Sequence, residues 1–278
     1  MSVAEAETGF FGDALGRLAG LVGRTLVVKL GGSTVGAHDT SLGDVALLHR
    51  LGVRVAVVHG GGAAISQWLG RIGLEARFVR GLRVTDAPTL EVVCMVLAGK
   101  VNKELVGQLQ ALGAPAVGLS GADGGLLRAR LRDSELGLVG EVASVEARPL
   151  LTLLDAGFLP LVAPLALGDG GQLLNVNADT AAGDVARGLG AEQVVFLTDV
   201  PGVTGTDGET LRTLSAHQVR ELIAGGVIHG GMIPKVEACL HALHGARAAQ
   251  IVDGRTAHAL LRALLLADGG GTRITEED

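Results

Sequence analysis

Short aliphatic and β-branched runs alternate with helical patterns along the whole 278-residue chain, and this rhythm narrows the fold more than any other feature. Thr25–Leu30, Val53–Val58, Pro115–Leu119, Phe158–Ala163, Gln193–Thr198 and Ala248–Val252 read as strands. Helical periodicity fills the intervals: Thr40–Leu51, Ala63–Ile72, Ala87–Leu112, Ala147–Ala156, Asp179–Leu189, Ala216–Ala224, Pro234–His244 and Thr256–Leu266. The unbroken apolar character of VVKL, VAVV and VVFL fits strands covered on both faces. The expectation is an α/β fold, a three-layer αβα sandwich around a mainly parallel sheet. Glu75–Thr85 and Leu126–Val145 alternate with period two and read as antiparallel hairpins. With no internal repeat and no Pro- or Ser-rich linker, one domain with two lobes is expected.

Composition excludes several function classes. The chain is 48% hydrophobic, enough to repay chain entropy, so disorder is excluded. Its 23 basic and 29 acidic residues give a net charge of −6, and five Phe, one Trp and no Tyr leave little to stack on bases. Nucleic acid is therefore not an expected partner. Cys94 and Cys239 form no disulfide framework, and the first residues carry Glu5 and Glu7 where a signal peptide carries positive charge. No apolar run approaches the length of a membrane span, so a soluble, cytoplasmic protein is expected.

The 44 glycines have no collagen-like period; clusters of them follow strands. Gly31-Gly32 follows the first strand, His59-Gly60-Gly61-Gly62 the second, and Ser120-Gly121 through Gly124-Gly125 the third. At the carboxyl edge of an open sheet, glycine lets backbone N–H groups reach an anion, and a following helix start adds partial positive charge. Turn geometry alone is the plainer explanation of any one cluster. Three on one edge point to an anion site. Neither a Gly-x-Gly-x-x-Gly nor a Walker pattern is present, and the eight His form no metal-ligand set. His59 reads as a structural hydrogen-bond partner, and Ser33 and Ser120 lack the partners of an activated nucleophile. Two lysines remain. Lys29 lies in a run too apolar for an ordinary surface, and Lys235 follows Pro234, which suits a helix's first turn.

These residues carry a resemblance. In constant order the chain contains VVKLGG, VVHGGG, GLRVTD (81–86), VLAGKVNKELV (96–106), VGLSGADGG (117–125), GLVGEV (137–142), NVNADTAAG (175–183), LTDVPGV (197–203), GGMIPKVEACL (230–240) and DGR (253–255). It resembles the acetylglutamate kinases of the amino acid kinase family from about Leu26 to Ile274. The resemblance implies the amino acid kinase fold and ATP-dependent phosphorylation of the γ-carboxylate of N-acetyl-L-glutamate, the second step of arginine biosynthesis. It implies catalytic roles for Lys29, Lys235 and Asp179, and substrate contacts from Gly61, Gly62, Arg83 and Asn175. Gly31 and Gly32 would hold the transferred phosphoryl group, and Thr198, Asp199, Gly202 and Met232 would line the nucleotide pocket. No metal ligand is implied beyond Mg²⁺ carried by ATP. Residues 25–170 would form an acetylglutamate-binding, dimer-forming lobe and 171–278 an ATP-binding lobe, with 1–24 as a helical extension.

In arginine-inhibited members such an extension interlaces dimers into a hexamer, so a homodimer is expected, with the hexamer and a nitrogen-signalling protein partner as further possibilities. Phe10, Phe11, Leu15, Leu18 and Leu21 would form the apolar stripe of that helix. Gly269 departs from the acidic residue that the arginine-inhibited pattern carries there. A related kinase acting on carrier-bound aminoadipate is the enzymatic rival, but its counterpart of Ala178 is usually Gly. A non-catalytic sensor on the same scaffold is the other; Lys29, Lys235, Asp179, Arg83 and Asn175 all being in place argues against it.

Overall fold

The computed structural model describes residues 3–31, 40–267 and 269–277, with side chains from Phe11 onward. Gly32, Ser33, Asp268 and the Phe10 side chain lie outside the described residues. Among the described residues, an eight-stranded sheet runs in the order Thr213–Ser215, Thr272–Thr275, Ala249–Asp253, Gln193–Thr198, Thr25–Leu30, Arg54–His59, Leu159–Ala163, Ala116–Ser120. All neighbouring pairs are parallel except Ala249–Asp253 with Thr272–Thr275. The mainly parallel expectation therefore holds. Thr213–Ser215 and Thr272–Thr275 are strands the sequence reading missed, being too short for a periodic signal.

Side chains along Thr25–Leu30 alternate between two cores, as the two-residue period of a strand requires. Leu26, Val28 and Leu30 join the core packed by helices Ser41–Arg50, Asn102–Ala111 and Ala259–Leu265. Val27 faces the other core, beneath helices Ala178–Leu189 and Ile233–Ala242. Lys29 has the same parity as Val27. Its position in the strand therefore delivers it to the face on which those two helices sit.

The two helices cross closely because Gly183 has no side chain: a Cβ there would lie 2.7 Å from the Ala238 carbonyl oxygen. Gly183→Ala should force the helices apart and cost about 1–3 kcal/mol of stability. Calorimetry of the purified variant checks this, and an unchanged melting temperature would contradict the tight crossing.

Both expected hairpins are present. Phe78–Val79 pairs antiparallel with Leu82–Arg83, and Leu127–Leu131 with Gly140–Val145. The second belongs to a separate four-stranded sheet with Leu165–Leu167 and Leu173–Asn175, an assembly of distant segments that local patterning could not reveal. The long helix expected over 87–112 is three segments: an α-helix Ala87–Cys94, a π-helical stretch Met95–Val101 and an α-helix Asn102–Ala111. The expected helix beginning at Thr256 starts later, at Ala259, because His258 takes a left-handed conformation as its cap. At the N-terminus, Val3–Leu21 is helical. Leu21 is buried and Leu18 packs against the core of its own chain, whereas Phe11 and Leu15 are each 64% exposed.

Candidate active site

Strands Thr25–Leu30 and Gln193–Thr198 are adjacent and parallel, yet the next strand of the sheet after each lies on opposite sides. A crevice outside the carboxyl ends of such a pair is where open α/β sheets bind ligands. Lys29 occupies the first strand's end, and Thr198 ends the second.

Asp179 gathers the two lysines. Lys29 Nζ lies 2.7 Å from Asp179 Oδ1, and Lys235 Nζ donates to Oδ2 at 3.3 Å. The shorter contact is an ion pair whose angles fall short of an aligned hydrogen bond. Lys29 and Asp179 are each 7% exposed. Burial, the largest single influence, would push the Asp179 carboxyl up; the positive charges of Lys29 and Lys235, with the hydrogen bond from Lys235, outweigh it and hold it below its usual range. Asp179 is thus ionised at neutral pH, and one carboxylate between two ammonium groups leaves a positive charge in excess. That surplus suits an anionic ligand.

Local sequence explains the placement. Asn177 caps helix Ala178–Leu189, its Oδ1 accepting from Asp179 N at 2.9 Å and Thr180 N at 3.2 Å. Asp179 therefore sits in the first helical turn, where an acid is favoured. Pro234 occupies the first turn of helix Ile233–Ala242, placing Lys235 near its start as expected. The helices are further joined by the buried Asp184, whose Oδ1 lies 2.7 Å from His241 Nε2 and 3.1 Å from Arg187 Nη2. Cys239 is wholly buried beneath Asp179; burial, reinforced by that carboxylate, pushes its thiol well up and keeps it protonated.

The Gly60–Gly62 turn follows the strand paired with that of Lys29. Gly60 N donates to Leu30 O at 2.9 Å. Gly61 permits a close approach: a Cβ there would lie 2.6 Å from Leu97 Cδ2 on the π-helical stretch. A Cβ on Gly62 would meet open space. Gly62 O instead accepts from Arg83 Nη2 at 2.8 Å, and Ser66 Oγ accepts from the same nitrogen at 2.9 Å. The guanidinium stacks 4.8 Å from the Phe78 ring centroid. Its buried Nη1 has no hydrogen-bond partner among the described residues. A buried guanidinium nitrogen left unmatched is costly, and an incoming carboxylate would satisfy it.

His59 behaves as the sequence suggests. Its Nδ1 donates to Gly60 O at 3.0 Å and its Nε2 accepts from Asn102 Nδ2 at 3.1 Å. Burial lowers its pKa to about 4, so it is neutral at pH 7 and supports the turn. The third glycine cluster proves to be a turn: Asp123 Oδ2 accepts from Ser120 N and Oγ, and Gly124 and Gly125 take left-handed angles.

The remaining residues are placed as follows. Asn175 ends strand Leu173–Asn175, two residues before the helix cap Asn177, and donates from Nδ2 to Thr85 Oγ at 3.1 Å. Gly31 N already donates to Leu197 O at 3.2 Å. Thr198 hydroxyl donates to Asp199 Oδ1 at 3.1 Å, and Thr198 O accepts from Gly254 N. Gly202 has a left-handed φ of 140°, and a Cβ there would lie 2.6 Å from Thr272 Oγ, so packing alone demands glycine. Met232 is half-buried against the core just before helix Ile233–Ala242. Sequence reasoning missed Ser66, Thr85 and Asn177. For Asn177 a signal existed, since an Asn opening a helical pattern is a cap. For Ser66 and Thr85 none did, because their partners come from folding.

The chain is similar to known proteins over most of its length. Residues 24–253 match the sequence pattern of the Amino acid kinase family. The chain is 48% identical over 271 residues to the acetylglutamate kinase of Acaryochloris marina, covering 95% of each chain. It is 46% identical over 270 residues to that of Trichormus variabilis, covering 94% of this chain and 91% of the relative. Among solved structures, the N-acetylglutamate synthase of Neisseria gonorrhoeae, complexed with coenzyme A and N-acetyl-glutamate, superposes with a TM-score of 0.86 at 28% identity. That match covers 98% of this chain but 64% of the synthase, so the chain spans under two thirds of that protein's length.

Proposed function

Because this chain belongs to the amino acid kinase family, we propose that it uses ATP to phosphorylate the γ-carboxylate of N-acetyl-L-glutamate in arginine biosynthesis. The observation that carries the reading is Asp179 bridging Lys29 and Lys235 with one positive charge in excess, in a chain nearly half identical to acetylglutamate kinases. A carboxylate oxygen attacks the γ-phosphorus, the bond to the ADP oxygen breaks, and ADP leaves with the electron pair. The products are ADP and N-acetylglutamyl 5-phosphate. A γ-carboxylate is already ionised at pH 7, so the attack needs no general base. What it needs is positioning of two anions and neutralisation of the charge they share.

Lys29 and Lys235 supply that charge, and Asp179 holds their ammonium groups in place without accepting a proton. Arg83 offers its unmatched Nη1 to the substrate α-carboxylate, Asn175 contacts the acetamido group, and Gly61 and Gly62 line the same turn. Gly31, Gly32, Thr198, Asp199, Gly202 and Met232 border the nucleotide, which brings its own Mg²⁺ to neutralise phosphate oxygens. Residues 25–170 would hold acetylglutamate and form a homodimer, 171–278 would hold ATP, and 1–24 would be the segment able to extend a dimer to a hexamer or meet a regulatory partner. No helix among the described residues is long and apolar enough to cross a membrane, and a cytoplasmic location belongs to this reading.

Incubation with ATP, Mg²⁺, acetylglutamate and hydroxylamine should yield a hydroxamate, since hydroxylamine captures an acyl phosphate. A parallel panel of glutamate, aspartate and aminoadipate should stay at background. A folded sample that makes no hydroxamate from acetylglutamate refutes the acyl-phosphate chemistry.

A further inference from the structure

Thr85 is fully buried between Arg83 and Asn175. Its hydroxyl donates to the Arg83 carbonyl at 3.0 Å and accepts from Asn175 Nδ2 at 3.1 Å. A hydroxyl has one proton. With that proton committed to a carbonyl, which can only accept, the oxygen facing Asn175 must itself accept. Asn175 therefore turns its NH₂ toward Thr85 and its Oδ1 away.

The surrounding backbone leaves little room for another arrangement. Thr85 N donates to Leu136 O at 2.9 Å, Leu138 N to Thr85 O at 2.7 Å, and Asn175 N to Leu138 O at 3.0 Å. Gly137 makes this possible, with φ of 70° and space for no Cβ: one would lie 2.5 Å from Thr85 O. The threonine and the asparagine are thus held against the same segment, and their side chains meet across it.

We infer that Thr85 is a positioning residue that fixes the amide orientation of Asn175, so that the site selects a substrate presenting an N–H donor at its α-nitrogen. The inference rests on the acetylglutamate reading and deepens it. An acetylated amine offers one amide N–H, which Asn175 Oδ1 can accept. An ester in its place offers only lone pairs, which the same oxygen repels. A freely turning asparagine would serve either group by presenting Nδ2 or Oδ1. A locked one cannot.

The test compares N-acetyl-L-glutamate with 2-acetoxyglutarate, its ester counterpart, by substrate-dependent ADP release from the full-length chain, since hydroxylamine would itself cleave the ester. Wild-type enzyme should favour the amide by about tenfold or more, the cost of one mismatched buried hydrogen bond. Thr85→Val should lose most of that preference through KM, with kcat on acetylglutamate and KM for ATP within about twofold of wild type. Thr85→Ser, which keeps the hydroxyl, should retain the preference. Should the valine variant not fold, Thr85→Ala carries the same expectation. A folded variant lacking the hydroxyl but keeping the wild-type amide-to-ester ratio overturns the inference while leaving the function standing. A wild-type enzyme that phosphorylates neither compound refutes the functional reading, and this inference with it.

Discussion

Alanine at Lys29 or at Lys235 is expected to lower kcat by about 10²–10³-fold, the usual loss when one preorganised charge on a developing anion is removed. The protein should still fold, because either substitution leaves Asp179 paired with the other lysine. The double variant should cost less than the product of the single effects, since residues acting as one unit are not additive. Steady-state kinetics beside thermal melts separate the two quantities. Near-normal turnover in either single variant would remove the two-lysine clamp from the mechanism. Asp179→Ala is a different experiment. It leaves two largely buried cations facing each other, and its loss of activity should come with a loss of stability.

Arg83→Ala is expected to raise KM for acetylglutamate by about 10²-fold, the scale of a charge-assisted hydrogen bond in a partly dry site. KM for ATP should change little. Lysine at this position should not restore binding, because Gly62 O and Ser66 Oγ share one prong of a planar fork while the other has no partner, and an ammonium cannot supply both prongs. A rise in KM for ATP alone would place Arg83 on the nucleotide side and overturn its assignment.

Much of this architecture was legible because its signals are local. Thr25–Leu30 and Gln193–Thr198 have the bounds expected from their apolar runs, since a strand buried on both faces needs no partner to be recognised. Pro234 announced the helix that carries Lys235. Other features were illegible for a physical reason. Strands Leu165–Leu167, Leu173–Asn175 and Thr213–Ser215 are each three residues long and exist because a distant neighbour pairs with them. The π-helical stretch Met95–Val101 shares its residue types with ordinary helix, so nothing in its sequence marks it.

The site divides in the same way. Sequence by itself determined which groups are available: two lysines and an aspartate in apolar or glycine-rich settings, and an arginine in a hairpin, for a chemistry that needs no general base. The parity of a strand even decided the face on which Lys29 emerges. Tertiary structure alone decided how those groups act on one another. The Asp179 carboxyl is held below its usual range because Lys29 and Lys235 converge on it from segments 150 and 56 residues away, outweighing a burial that pushes it up. Asn175 presents an acceptor because the one proton of Thr85, 90 residues away, points elsewhere. Electrostatic fields and proton direction depend on distances across the folded chain, and no local pattern of residues encodes them.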